Sequence, residues 1–288
     1  DYTLDVAEQT AAGNYTLTVT GQGNYAGAVT ADWRIAPVQI LGIASVTPLA
    51  KVYNGTAAVE LGTGAVQFYN DKNETITLPE DAFTITNARF TRPTADGKTY
   101  RDAPEAGLGK TISFTVTLQS SNYVLIANKQ TCTTADYDYW TSRAGDFSIE
   151  KAPSPSTTRG TLTVTNRHMT TYTMDLKPLL PTPPAGEYGQ TSYALQAVNL
   201  SKTGYSLYDE SACKVEDGVL SLPLSTPNTK ETGKVGTVQV TVTTENYADF
   251  TLTIDLEAVN KTELTPGALT YSPITYGQTL KDVTITGE

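Results

Sequence analysis

The chain has 288 residues, with hydrophobic residues at 39% and charged residues at 17%, a balance that suggests about two folded domains and excludes a disordered tail. Its net charge of −10, with the basic residues scattered singly, excludes nucleic acid and anionic lipid surfaces as partners. No apolar run approaches the roughly 18 residues of a spanning helix, so no membrane insertion is expected in this segment. Threonine recurs throughout, and β-branched side chains favour pleated strands over helices.

Along the chain, Tyr15-Thr16-Leu17-Thr18-Val19-Thr20 alternates apolar and polar residues, followed by Gly21-Gln22-Gly23, Asn24-Tyr25 and a second run over Ala28–Ile35. This reads as a β-hairpin with one buried and one wet face. The pattern recurs over 112–118 with Asn122-Tyr123, closing at 147–153, and over 238–243 with Asn246-Tyr247, closing at 252–256. Asn tolerates the left-handed conformation a tight turn can require, and the following Tyr can bury its ring while its hydroxyl reaches a backbone group. Each hairpin reads as the last strand pair of a domain. The expected division is therefore 1–36 (closing strands of a partial domain), 37–152 and 153–259 (two complete sandwiches), and 260–288 (opening strands of a partial domain). Strand edges at the two ends predict weak head-to-tail self-association. Ala194-Leu195-Gln196-Ala197-Val198 reads as a short helical turn, and the distant Cys132 and Cys213 as free thiols.

Lys51-Val52-Tyr53-Asn54-Gly55-Thr56 resembles the Lys-x-Tyr-Asp-Gly-Thr signature of YDG-type repeats in large bacterial surface proteins, with Asn54 at the usual Asp position. Tyr188-Gly189-Gln190-Thr191, which recurs as Tyr276-Gly277-Gln278-Thr279, and the Gly-Asn-Tyr closings look like the MBG-type repeats that accompany them. The resemblance implies all-β, tandem immunoglobulin-like β-sandwich domains in an elongated arrangement, with partial domains at both ends. It further implies an extracellular stalk or adhesin segment of a bacterial protein that is secreted or anchored at the cell surface, and it brings no catalytic residues to transfer.

Catalytic patterns fail on their own terms. Gly107-Leu108-Gly109-Lys110-Thr111 lacks the upstream Gly of a phosphate loop, having Pro104 there, and a strand pattern follows where a helix is required. The single histidine, His168, reads as an exposed turn residue, and no Gly-x-Ser-x-Gly elbow accompanies it. Asp136 and Asp138 fall short of the 6–8 oxygen ligands of calcium. The expectation is a protein that is not an enzyme and carries no metal or cofactor.

One stretch stands out. Between the 123–126 and 147–149 runs, residues 127–146 read as an expanded loop holding Tyr137, Tyr139 and Trp140 beside Asp136, Asp138 and Arg143. Aromatic rings with polar neighbours suit recognition of a protein or a glycan of a host or neighbouring cell. The alternative is a carbohydrate-binding accessory module of a secreted enzyme that uses the same loop.

Overall fold

The computed structural model describes residues 1–5, 8–166, 169–227, 230 and 232–260, together with 270, 271, 273, 275, 276, 279, 285 and 286. His168 and most of the 260–288 segment invoked for head-to-tail association lie outside the described residues. Among those described the chain is all-β, its only helices being single 3-10 turns. They form two compact units, one of Asp1–Pro155, Thr182–Thr191 and Thr243–Asp249, the other of Ser156–Pro181, Ser192–Val242 and Phe250–Glu288.

The first unit opens with a three-stranded antiparallel sheet of β1 (Tyr2–Asp5), β2 (Gly13–Gly21) and β3 (Ala28–Ile35), in that order. Its register sets Tyr15 opposite Trp33, Leu17 opposite Ala31, and Val19 between Leu4 and Val29. Side chains alternate across a strand, so these residues share one face while Thr16, Thr18, Thr30 and Asp32 share the other. The Tyr15 and Trp33 rings lie 5.0 Å apart.

The strands that follow are β4 (Val38–Val46), β5 (Leu49–Val52), β6 (Val66–Asn70), β7 (Thr75–Ile76), β8 (Phe83–Pro93) and β9 (Tyr100–Asp102). Next come β10 (Thr111–Leu118), β11 (Tyr123–Ala127), β12 (Gln130–Cys132), β13 (Thr134–Tyr139) and β14 (Phe147–Glu150). They build a five-stranded sheet, β12-β11-β4-β6-β7, a four-stranded sheet, β13-β10-β8-β9, and a parallel pair, β14-β5. The two larger sheets face each other across Phe68 of β6 and Phe83 of β8, whose rings meet edge to face at 5.2 Å. Ile40, Leu125, Phe90, Ile112 and Phe114 complete this core, all nearly or fully buried.

Two expectations need correction here. The 112–118 and 123–126 runs are not a hairpin. β10 is already paired on one side with β8 and on the other with β13, so β11 crosses to the opposite sheet and pairs in parallel with β4. Residues 127–146 are not simply a loop either, because β12 and β13 occupy much of it. The run Thr134-Ala135-Asp136-Tyr137-Asp138-Tyr139 has a period of two, exposed and half-buried in turn, and this is enough to extend the four-stranded sheet by one edge strand.

The recurring Asn-Tyr pair also works differently from expectation. Asn24, Asn122 and Asn246 are not among the residues with positive φ. Asn122 and Asn246 act through their side chains instead, accepting hydrogen bonds from the Ala12 amide (2.7 Å) and the Ala106 amide (2.8 Å). Of the three tyrosines, Tyr25 is exposed and Tyr123 half-buried, while Tyr247 is buried as expected. Its hydroxyl accepts from the Ala185 amide at 2.9 Å and donates to the Ala185 carbonyl at 2.5 Å. Its ring sits edge-on to Tyr53 (5.6 Å) and Tyr188 (5.3 Å), all within the first unit.

The Lys51–Thr56 motif is a turn clamp. Lys51 Nζ donates to Asn54 Oδ1 (2.8 Å) and to the carbonyls of Thr56 (2.6 Å) and Ala58 (2.8 Å), and Asn54 Oδ1 also accepts from the Thr56 amide (3.2 Å). Gly55, at φ +80°, supplies the left-handed step between them. The motif's chemistry is consumed by its own backbone.

The second unit contains β15 (Arg159–Thr165), β16 (Thr170–Asp175), β17 (Thr191–Leu200), β18 (Ser206–Leu207), β19 (Lys214–Glu216), β20 (Val219–Ser225), β21 (Gly233–Thr244) and β22 (Phe250–Val259). One sheet runs β15-β22-β21-β17, the other β16-β20-β18 with β19 also on β20. Val238, Val240, Leu252 and Ile254 from the first sheet and Leu220, Leu222 and Leu224 from the second are fully buried. The expected helical turn at Ala194–Val198 is instead the middle of β17: Tyr193, Leu195 and Ala197 alternate with exposed Ser192, Ala194 and Gln196, and this period of two overrides the helical preference of Ala and Leu. Cys132 and Cys213 are free, as expected.

Candidate functional site

The strand assignment of Thr134–Tyr139 divides the six singled-out residues by face. Asp136 and Asp138 point outward and are exposed, whereas Tyr137 and Tyr139 are half-buried. Tyr137 packs on Phe114 (ring centroids 6.1 Å apart), and Tyr139 meets Phe147 edge to face at 6.1 Å. Trp140, just past the strand, is 65% exposed. Arg143 is exposed in a turn held by Thr141, whose hydroxyl donates to Asp146 at 2.8 Å. Asp136 and Asp138 therefore share the outer face of the strand and Tyr137 and Tyr139 the inner one, while Trp140 and Arg143 lie beyond its end.

The outward carboxylates belong to a wider polar face. In the antiparallel register Asp136 lies opposite Thr115 and Asp138 opposite Ser113. Thr115 donates to Asp136 at 2.6 Å, and the Ser113 hydroxyl donates to Asp138. Thr91 shares a 2.8 Å hydrogen bond with Ser113 on the next strand, and Arg89 pairs with Asp102 at 2.9 Å. Asn87, Arg89, Lys98, Tyr100, Ser113, Thr115, Asp136 and Asp138 border an open depression of about 530 Å³. Its residues on β8, β9 and β10 were not singled out from sequence. The available signal was the alternation of Ser113, Thr115 and Thr117 with Phe114 and Val116, which marks an outward polar row.

The turn that carries Lys98 is rigidified by Asp96. Its carboxyl is held down to about 2 by a hydrogen bond from the Thr94 hydroxyl, reinforced by the Lys98 and Thr99 amides. The depression thus offers donors on one flank and acceptors on the other, with a phenol between. Ser113 and Thr115 each donate their hydroxyl to a carboxylate, Asp138 and Asp136 respectively. Among the described residues no group of three or more His, Cys, Asp or Glu is placed to hold a metal ion, and no helix is long and apolar enough to cross a membrane.

Beneath this face, burial pushes the Tyr137 phenol up to about 12 from its ordinary 10.0, and its hydroxyl has no hydrogen-bond partner. The raised folded-state value favours the neutral phenol, so its contribution to stability is complete below pH 10 and is lost as pH rises through about 12. In an alkaline titration followed by tyrosinate absorbance, Tyr137 should ionise late, and Tyr137→Phe should reduce the fall in stability over that window. An unchanged alkaline profile in Tyr137→Phe would contradict this.

No family model matches the chain, and no curated protein matches it. Among solved structures it is similar to extracellular cadherin domains 3–6 of protocadherin gamma B2, at 12% identity and a TM-score of 0.33, covering 95% of this chain and 67% of that one. It is also similar to domains EC1–3 of a mouse clustered protocadherin, PcdhgC3 (10% identity, TM-score 0.31, 87% and 77% covered). A third likeness is to the human desmocollin-1 ectodomain (12% identity, TM-score 0.29, 89% and 49% covered). At these scores the likeness carries no argument about what this chain does.

Proposed function

We propose that this chain is a non-catalytic structural and adhesive segment of a bacterial cell-surface protein, displayed outside the cell. Its parts are the four inferred from sequence: 1–36, 37–152, 153–259 and 260–288. The observation that carries the reading is the outer face of the β13-β10-β8-β9 sheet. There the exposed carboxylates of Asp136 and Asp138 accept hydrogen bonds from Thr115 and Ser113 on the neighbouring strand beside an open depression, a geometry suited to holding a polar partner. The partner class is a protein or a glycan of a host or neighbouring cell. A carbohydrate-binding accessory module is the second reading, favoured by the exposed ring of Trp140, since sugars stack on uncovered aromatic faces.

The test is adhesion of the purified chain to glycan and host-protein arrays. Asp136→Asn with Asp138→Asn is expected to remove binding while leaving the melting temperature nearly unchanged, because both carboxylates are exposed. Trp140→Ala, equally neutral for stability, separates the two readings: loss of glycan retention in this variant supports the accessory module, and retained binding supports the sheet face. Tyr139→Ala belongs to another class, because its ring packs on buried Phe147 and its loss should lower stability by about 1–3 kcal/mol. Arrays that retain nothing, or binding untouched by the paired Asn substitutions, would rule out the outer face as the adhesive surface.

A further inference from the structure

Asn54 is the only asparagine in the chain that is followed by glycine. An asparagine carries its side-chain amide carbon within reach of the next residue's backbone nitrogen, and glycine, with no Cβ, obstructs that approach least. Closure of the Gly55 nitrogen on Asn54 Cγ is therefore a reaction the pair has built in, and the surroundings of Asn54 decide whether the fold assists it.

Attack on Cγ moves negative charge onto Oδ1. Three donors already stand on that oxygen: Lys51 Nζ at 2.8 Å, the Thr56 hydroxyl at 3.0 Å and the Thr56 amide at 3.2 Å. The Thr56 amide alone would close the turn. Lys51 Nζ also donates to the carbonyls of Thr56 and Ala58, so all three hydrogens of an ammonium are used and the nearest donor is a cation. Fixed donors, one of them charged, on the oxygen that gains charge are the arrangement that stabilises an oxyanion. Among the described residues the Gly55 amide donates to no acceptor, so its proton is not held. Asn54 is exposed, and water reaches it.

We propose that Asn54 is a self-modifying site, where the Lys51–Thr56 clamp promotes loss of the side-chain amide. The Gly55 nitrogen bonds to Asn54 Cγ, the Cγ–Nδ2 bond breaks, and the Gly55 amide proton leaves with Nδ2 as ammonia, giving a cyclic imide. Water then opens the imide. Addition at Cγ gives aspartate; addition at the Asn54 backbone carbonyl gives isoaspartate, with the main chain routed through the side chain. The two products act in opposite directions. Aspartate turns the contact with Lys51 into a charge-assisted bond. Isoaspartate lengthens the backbone beside Gly55, where there is no slack, since a Cβ on Gly55 would come within 2.9 Å of the Gly186 nitrogen. It would also displace Tyr53, whose hydroxyl holds the amide and carbonyl of Glu187 at 3.0 and 3.1 Å.

The folded protein, kept at neutral pH for weeks and sampled by digestion and mass spectrometry with fragmentation that distinguishes aspartate from isoaspartate, should convert Asn54 ahead of every other asparagine. Conversion should be about tenfold faster in the folded protein than in the same chain held unfolded in urea, where the clamp is gone. Lys51→Met should slow it about tenfold in the folded protein and leave the unfolded rate unchanged, and Lys51→Arg, which keeps a charged donor, should restore most of the difference. Thr56→Val removes the hydroxyl donor alone and should slow conversion by less, so the comparison stands even if Lys51→Met does not fold. Asn54 intact after incubation, a folded rate no faster than the unfolded one, or folded Lys51→Met and Thr56→Val converting as fast as the unaltered chain would overturn the proposal.

Discussion

Phe68→Ala should lower the free energy of unfolding by about 3–5 kcal/mol in a urea titration, while Tyr69→Ala, one residue further on, should cost no more than about 0.5 kcal/mol. The two residues are neighbours in β6 on opposite faces. Phe68 is fully buried and its ring meets Phe83 of the facing sheet edge to face, so its removal leaves a cavity between two layers. Tyr69 is 38% exposed and points away from that core. The cost at Phe68 has two parts: apolar surface that no longer leaves water on folding, and the van der Waals attraction missing around a space that close-packed sheets cannot collapse to fill. Equal costs at both positions would mean that β6 does not present alternate faces, and the sandwich would be wrong at its centre.

Tyr247→Ala should cost a similar amount, about 3–5 kcal/mol, and Tyr247→Phe about 1–3 kcal/mol. The ring packs between Tyr53 and Tyr188, and the hydroxyl satisfies both the amide and the carbonyl of Ala185. Phe keeps the packing but leaves the Ala185 backbone groups without their partner; Ala removes the packing as well. The equivalent substitution at Tyr25, Tyr25→Ala, should leave unfolding of the isolated chain almost unchanged, because that ring is 69% exposed. Identical destabilisation at positions 25 and 247, read by the same urea titration, would show that the two recurrences share one role despite their different surroundings.

These two residues also mark how much could be read without coordinates. The strand character of 15–20, 112–118 and 238–243 was legible because one face of each run is apolar and the other is Thr, a local signal with a period of two. The choice of partner was not legible, because it is decided by which sheet edge remains open. β10 shares the alternation of the other two copies, yet β8 and β13 occupy both its edges and β11 is sent to the other layer. In β13 the same period of two is carried by Asp alternating with Tyr, and the depletion of Asp in strands masks the strand signal that Tyr brings.

The candidate site followed the same division. Asp136 and Asp138 were identifiable as exposed carboxylates beside aromatic rings. Their pairing with Thr115 and Ser113, and the arrival of Arg89, Lys98 and Tyr100 from β8, β9 and the turn between them, depend on register across three strands. Arg143 and Trp140 were grouped with them by proximity in sequence, but the strand ends at Tyr139 and the chain turns away under the hydrogen bonds of Thr141.

The proposed adhesive face depends most on Thr134–Tyr139 being an edge strand that carries its carboxylates on the outer side of a sheet. Native-state hydrogen exchange read residue by residue tests this directly. An antiparallel edge strand bonds alternate amides to its neighbour and leaves the intervening ones to solvent. Over Ala135 to Tyr139 the edge pairing predicts slow and fast exchange in alternation, with the amides facing β10 protected to a degree approaching those of β10 itself. Uniformly fast exchange across these residues, as in an unpaired loop, would contradict it.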